Sequence, residues 1–199
     1  MTAIMVIDLE TTGLDGIDEG DKILSIAIAS VDTERRTVVP VFSTAIYQEL
    51  DEADRNAWLF RTGHMSPDEI EASPFCSTKA AEIVSTILEG QLVTSYNTDF
   101  DIDAFLWPWL DDTLPGDVYQ FYRAPCIMRA ADQVEDIPRK ERPDGTAWPS
   151  LAASYSTLVG SLDGISQHRA DEDAVMAGKV LLALYDLGLY DPDREEEYA

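Results

Sequence analysis

Basic residues are scarce in this chain. Only 14 lysines and arginines stand against 38 aspartates and glutamates among 199 residues, a formal net charge of −24. Such a surface repels polyanions at long range, which excludes a protein that coats duplex nucleic acid through a basic face. It does not exclude contact with a strand end through bound cations, because an ion dominates its local field. Adaptation to high salt would produce the same composition, since screening weakens self-repulsion. Long apolar runs are also missing: charged residues interrupt every one, so no membrane span is expected. The two cysteines, Cys76 and Cys126, have no metal-site spacing and are expected to be reduced thiols. No basic leader precedes the first apolar stretch, so the chain reads as cytoplasmic, without a signal peptide.

What is present fits one folded domain. The hydrophobic content of 45% is ordinary for a globular chain of this length. Residues 1–190 are expected to form the domain and 191–199 an acidic, disordered tail. Strand pattern runs from Ile4, from Ile23 to Val31 and from Thr37 to Ile46, joined by short connections that suggest an antiparallel meander. Trp58, Leu59 and Phe60 read as apolar anchors in a helical or irregular stretch from Glu49 to Thr62. Ser66-Pro67-Asp68-Glu69 is a helix start, with Ser as N-cap and Pro in the first turn. Ser77 to Leu88 is amphipathic helix, closed by Gly90, and Gln91 to Ser95 is a strand. A helix from Asp101 to Leu110 is expected to be disturbed by Pro108. The last strand is placed at Val118 to Tyr122 and a helix at Cys126 to Val134, followed by loop from Asp136 to Trp148. Pro149 opens a helix to Val159, and the final helix runs from His168 to Leu187. Strands followed by alternating helices and strands predict an α/β fold with a mixed sheet of about five strands flanked by helices.

Acids interrupt this pattern in three places. In Ile4-Met5-Val6-Ile7-Asp8-Leu9-Glu10, side chains alternate faces, so Asp8 and Glu10 share one face with Ile4 and Val6. An apolar strand ending in two same-sided carboxylates is poorly suited to a core and well suited to hard divalent cations. A second stretch, Asn97-Thr98-Asp99-Phe100-Asp101-Ile102-Asp103, follows a strand and opens a helix. The helix dipole accounts for acids there in general. In the third, His168-Arg169-Ala170-Asp171-Glu172-Asp173, the final helix has an apolar face at Ala170, Ala174, Ala177, Leu181 and Leu184. Asp173 lies on that face, while Asp171 and Glu172 point away. An inward carboxylate is costly unless paired or metal-bound. Five residues before it, His168 is a candidate base.

Together these stretches resemble the DEDDh family of 3′–5′ exonucleases, which have the ribonuclease-H-like fold. The motifs are Asp8-Leu9-Glu10-Thr11-Thr12-Gly13, Asn97-Thr98-Asp99-Phe100-Asp101, and His168 followed at a distance of five by Asp173. Arg61 to Ser66 also resembles the family's segment ahead of the first long helix. The resemblance implies that Asp8, Glu10, Asp101 and Asp173 hold two divalent ions, Mg²⁺ or Mn²⁺, with His168 as general base. It implies a pocket for the terminal nucleotide formed by Thr11, Thr12, Leu14, Met65 and Asn97, with Leu14 and Met65 wedged against its base. The implied partner is a nucleic acid 3′ end, single-stranded or short, and the product a nucleoside 5′-monophosphate. No polymerase or repair partner is specified, and no membrane is involved.

The chain departs from the family in three respects. Tyr96 stands where His is frequent, Asp171 where an apolar residue is common, and the basic patches usual for nucleic-acid partners are missing. DNA is the first substrate reading. RNA, as for oligoribonucleases, is the second, because Asp8-Leu9-Glu10 and Gly13-Leu14-Asp15 suit that group and a short substrate tolerates the acidic surface. A non-catalytic binding protein on the same fold is the reading from another class; it would be signalled by loss of a motif acid or of His168, and none is lost.

Overall fold

Strand β1 (Ile4–Thr11) is apolar on both faces because helices cover both sides of the sheet it centres. The computed structural model describes residues 3–114, 116, 120–141 and 145–193. In chain order β2 (Ile23–Asp32) and β3 (Thr37–Ala45) follow β1, then three helices, α1 (Trp58–Thr62), α2 (Pro67–Glu71) and α3 (Ser77–Leu88). Strand β4 (Leu92–Ser95) leads into a π-helical segment, Asp99–Leu106, which continues as α4 (Trp107–Thr113). The remaining elements are β5 (Tyr122–Arg123), α5 (Ile127–Ala131), a small hairpin of β6 (Arg139–Glu141) and β7 (Ala147–Pro149), α6 (Leu151–Leu158) and α7 (Ala170–Asp186).

The five-stranded sheet has the order β3-β2-β1-β4-β5. β1 pairs antiparallel with β2 and parallel with β4, and β2 pairs antiparallel with β3. This is the expected mixed sheet with an opening meander. On one face Ile4, Val6 and Val31 pack against Ala177, Val180, Leu181 and Leu184 of α7. On the other, Ile7, Leu9, Ile26 and Ile28 pack against Ala80, Val84 and Leu88 of α3 and against Phe105, Leu106 and Trp109. Tyr190 still belongs to the first core, with its hydroxyl donating to Pro125 O at 2.9 Å. No helix among the described residues is long and apolar enough to cross a membrane.

Close approach of α7 to the sheet is built from small residues. Ala27 and Ala29 on β2 meet Ala170 and Ala174 on α7. One helical repeat further on, a Cβ on Gly178 would lie 2.8 Å from Val38 Cγ1 and 3.1 Å from Val31 Cγ2. This seam brings the start of α7, and Asp173 with it, down to the C-terminal end of β1.

Several expectations are corrected. Pro108, expected to disturb its helix, stands where the run changes from π-helical to α-helical. It falls in the first turn of α4, just after the π-helical segment, where a missing N–H is tolerated. The segment begins at Asp99 rather than Asp101. The edge strand β5 is Tyr122–Arg123, paired with Leu92 and Val93; of the strand expected at Val118 to Tyr122, Gln120 and Phe121 are not strand, and Val118 and Tyr119 lie outside the described residues. The stretch Asp136 to Trp148 is not all loop but carries the β6–β7 hairpin, which pairs as Lys140 with Trp148. Pro149 therefore ends a strand, and Ser150 caps α6 through its side chain, which accepts from Ala153 N–H. Trp58 is 48% exposed and anchors nothing, whereas Leu59 is buried. Ser66 does cap α2, accepting from Glu69 N–H. The tail reading concerns residues of which 194–199 lie outside the described structure.

The tight seam generates an expected outcome. Gly178→Leu should overpack the α7–sheet contact and lower stability by about 1–3 kcal/mol, read as a lower urea midpoint. Unchanged stability would show that the helix can retreat from β2 and β3 freely.

Candidate active site

Main-chain geometry at three element ends assembles the site. β1 and β4 run parallel, and both end at the same edge of the sheet. The β1–β2 register shifts between Glu10 and Thr11, where Leu24 of β2 is the extra residue opposite the end of the acid pair. Asp101 enters from the π-helical segment after β4, and its own N–H donates to Asn97 O at 2.9 Å. π-helical turns recur at functional positions because they displace side chains from the ordinary helical register. Arg123 clamps this segment: its guanidinium donates to Asp103 at 2.7 Å, to Thr98 Oγ1 at 2.7 Å and to Asp99 at 2.9 Å. Arg129 adds a bond to Asp99 at 2.8 Å. The three acids of this stretch thus divide into two that hold arginine and one, Asp101, that is buried toward the other acids.

Asp173 lies in the first turns of α7 and is nearly buried. Its Oδ2 accepts the His168 N–H at 2.9 Å, and Glu172 likewise reaches back to Ser166 N–H at 2.7 Å. The five-residue spacing of His168 and Asp173 follows from this bond. His168 itself is held at φ 63, an uncommon conformation for a residue with a Cβ and one that collects at functional positions.

Carboxylate oxygens of Asp8, Glu10 and Asp173 all lie within 4.8 Å of one another. Asp101 is outside that triad but close enough that its charge acts on Asp8 and Glu10. Burial pushes Asp8 well above the ordinary carboxylate range, and Asp101, Asp173 and Glu10 push it further. Burial, then Asp173 and Asp101, raise Glu10 to about 8, with Arg169 opposing. Burial raises Asp101 to about 7 against the backbone N–H groups of Asn97 and Leu9. Ser95 also favours the ionised form of Asp101, although its buried hydroxyl has no partner within hydrogen-bond range. Burial raises Asp173 to about 6, with the His168 N–H acting in the opposite direction. The His168 imidazole is lowered, first by burial and then by His64. A cation bound between acids held this close would favour their ionised forms. Their oxygen donors match hard ions such as Mg²⁺ or Mn²⁺.

A pocket of about 410 Å³ opens beside the acids, lined by Leu9, Glu10, Thr11, Thr12, Gly13, Leu14, Trp58, Leu59, Phe100 and His168. Leu14 is 81% exposed at its rim. Thr11 donates to Gly13 O at 2.6 Å, and Thr12 accepts from Lys22 N–H at 2.9 Å, so both hydroxyls shape the turn. Gly13 is required there, because a Cβ would fall 2.1 Å from Asp21 Oδ1. Two expected pocket residues are elsewhere. Met65 is buried with Leu24, Leu59 and Ile70 and lines a second cavity, of about 40 Å³, together with Glu10 and His168. Asn97 does not line the pocket and serves through its main chain, its carbonyl accepting from Phe100 and Asp101. Trp58 and Phe100 are pocket residues that sequence reading missed as such. For Phe100 the usable signal was its place directly between two acids; Trp58, between Ala57 and Leu59, carried none.

The raised carboxyls make stability depend on pH and metal. A folded acid with a raised pKa holds its proton after its unfolded counterpart has lost it. The contribution therefore falls as pH rises from about 4, the ordinary carboxylate value, through the native values of about 6 to about 8. In chelator, the melting temperature should decline across that window, and Mg²⁺ should restore more at its upper end than at its lower end. Melting curves that are flat with pH and indifferent to Mg²⁺ would contradict the assembled cluster.

The profile of the exonuclease family RNase_T matches residues 5–107. No curated protein matches the chain. Solved structures share its fold at low identity. Exonuclease I from Methylocaldum szegediense is 18% identical with a TM-score of 0.67, over 94% of this chain and 41% of that one. E. coli Exonuclease I in complex with a dT13 oligonucleotide is 17% identical with a TM-score of 0.62, over 93% and 41%. A full-length 3′-exonuclease is 14% identical with a TM-score of 0.65, over 95% and 84%. The chain therefore spans about two fifths of the Exonuclease I chains it resembles. The family match runs from the first acid pair through Asp101 and covers just over half of the sequence, and the chain belongs to the RNase_T exonuclease family, of the DEDDh type.

Proposed function

We propose that this protein is a metal-dependent 3′–5′ exonuclease that removes nucleoside 5′-monophosphates from single-stranded or short ends, with DNA as its first substrate. The observation that carries the reading is the convergence of Asp8, Glu10 and Asp173 within 4.8 Å beside a pocket that also presents His168. Asp8, Glu10 and Asp173, with Asp101 beside them, would hold two divalent ions. Bound ions of this kind supply charge stabilisation and a more acidic water. His168 takes the proton of the attacking water, and its lowered pKa keeps it unprotonated near neutral pH. Leu9, Thr11, Thr12, Leu14, Trp58 and Phe100 receive the terminal nucleotide, with exposed Leu14 against its base. The dT13 complex of Exonuclease I supports DNA; the oligoribonuclease reading is the other outcome of a substrate comparison.

The cation inventory supports a local grip. Lys22, Arg35, Arg36, Arg55, Lys79, Arg123, Arg129, Arg139 and Arg169 all pair with acids of the chain itself. Few positive groups are left to follow a phosphate backbone.

A 5′-labelled oligonucleotide should yield a descending ladder with Mn²⁺ and remain intact in chelator. Ladders compared between DNA, RNA and dinucleotides would set the substrate order. Asp173→Ala should lose both cleavage and Mn²⁺ affinity by calorimetry. Cleavage undiminished in excess chelator would sink the metal reading.

Salt should act unusually. It screens repulsion between the acidic surface and the distal strand while weakening the few direct phosphate contacts. For an inactive Asp8→Asn variant at fixed Mg²⁺, affinity for a long strand should fall only weakly, or rise, from low to moderate KCl. A steep loss, larger for longer strands, would reveal a basic track and overturn this account.

A further inference from the structure

His168 is fixed by its main chain, through the bond to Asp173, but its ring is bounded by aromatic neighbours. The imidazole meets Trp58 edge-on, with centroids 4.9 Å apart and planes at 79°. It meets His64 at 4.7 Å and 60°. Trp58 and His64 in turn stack on each other at 5.1 Å and 28°. Both come from one short piece of chain. Trp58 opens α1, Gly63 closes it at φ 76, and the His64 N–H bonds back to Leu59 O at 3.1 Å. That left-handed cap folds His64 over Trp58. Between them Leu59 is buried with Leu24, Met65 and Ile70, which ties the two rings to the sheet. A rigid two-ring wall therefore faces the one ring whose direction matters most.

We propose that Trp58 and His64 are positioning residues for His168, fixing its imidazole at the mouth of the pocket it shares with Glu10. This rests on the reading of His168 as general base. A proton acceptor works only within hydrogen-bond reach of the proton it takes, and a displacement of about 1 Å can lower turnover by about 10²-fold. Loss of the wall frees the imidazole to rotate without touching the acids. In holding the His168 ring, His64 acts through its flat face, so phenylalanine can replace it there and alanine cannot. If Trp58 and His64 were only pocket wall, their removal would raise KM and leave kcat in place.

The test is steady-state cleavage of a 5′-labelled single-stranded oligonucleotide with Mn²⁺ by His168→Ala, His64→Ala and His64→Phe, with melting curves and Mn²⁺ calorimetry for each. His168→Ala should lose about 10²–10⁴-fold in kcat. His64→Ala should lose roughly 10–100-fold in kcat with KM and Mn²⁺ affinity retained, and His64→Phe should recover most of that loss. The chain has only two histidines. In His64→Phe the ring-proton signals of the one remaining imidazole should therefore stay displaced from the free-imidazole position by Trp58 and the introduced phenylalanine, and adding Trp58→Leu should move them toward it. That resonance reports the ring's position whether or not His64→Ala folds well. Full kcat in His64→Ala beside an inactive His168→Ala would overturn the positioning role and leave the base intact. A His64→Phe as slow as His64→Ala, or an effect confined to KM, would overturn it as well. An active His168→Ala would overturn the base assignment itself.

Discussion

Everything in this molecule has to accommodate four carboxylates that burial, reinforced at Asp8 and Glu10 by the neighbouring acids, holds well above their ordinary pKa range. Desolvation penalises each charged form, and close neighbours of like sign penalise it again. A chain tolerates such a cluster only when its position is over-determined by the surrounding packing. Here two apolar layers, one on each face of β1, supply that rigidity.

Each acid is delivered by a different kind of restraint. Strand alternation sets Asp8 and Glu10 on one face. The seam of Ala27, Ala29, Ala170 and Ala174, continued by Gly178, lets α7 descend until Asp173 reaches them. The clamp of Arg123 on Asp99 and Asp103 secures the segment carrying Asp101. The last case shows how neighbouring acids in one motif do opposite jobs. Two are neutralised by arginine on the outer side, and one is left for the interior.

The same division runs across the whole surface. Acids greatly outnumber bases, and most of the described lysines and arginines are bound to those acids. Under the proposed function, most of the positive potential at the site would come from ions held by the carboxylates, which would make the acidic cluster the place where an anionic strand end is gripped. On that reading, the apolar pocket with Trp58, Phe100 and exposed Leu14 would contact the nucleotide by shape and stacking rather than by charge.

The sequence by itself determined the elements with a local period or a local cap: β1 with its same-faced acids, the β2–β3 meander, the Ser66 cap, and an Asp173 turned inward on the last helix. Those follow from pleat, helical repeat and hydrogen bonds within a few residues, which are written in consecutive positions. The order of the three acidic motifs was legible for the same reason. Tertiary structure alone decided which oxygens converge. Asp8, Glu10 and Asp173 form the triad and Asp101 stands beside it, because that depends on how closely α7 and the π-helical segment pack. It also decided that Trp58 faces the pocket rather than the core, that Met65 is buried and lines a second cavity, and that Asn97 acts through its carbonyl. The β6–β7 hairpin escaped detection because Arg139–Glu141 is wholly exposed and polar, with no alternation to mark it. The stacking of Trp58, His64 and His168 joins positions more than a hundred residues apart, and contacts of that range leave no period in the chain because they exist only once both cores have closed.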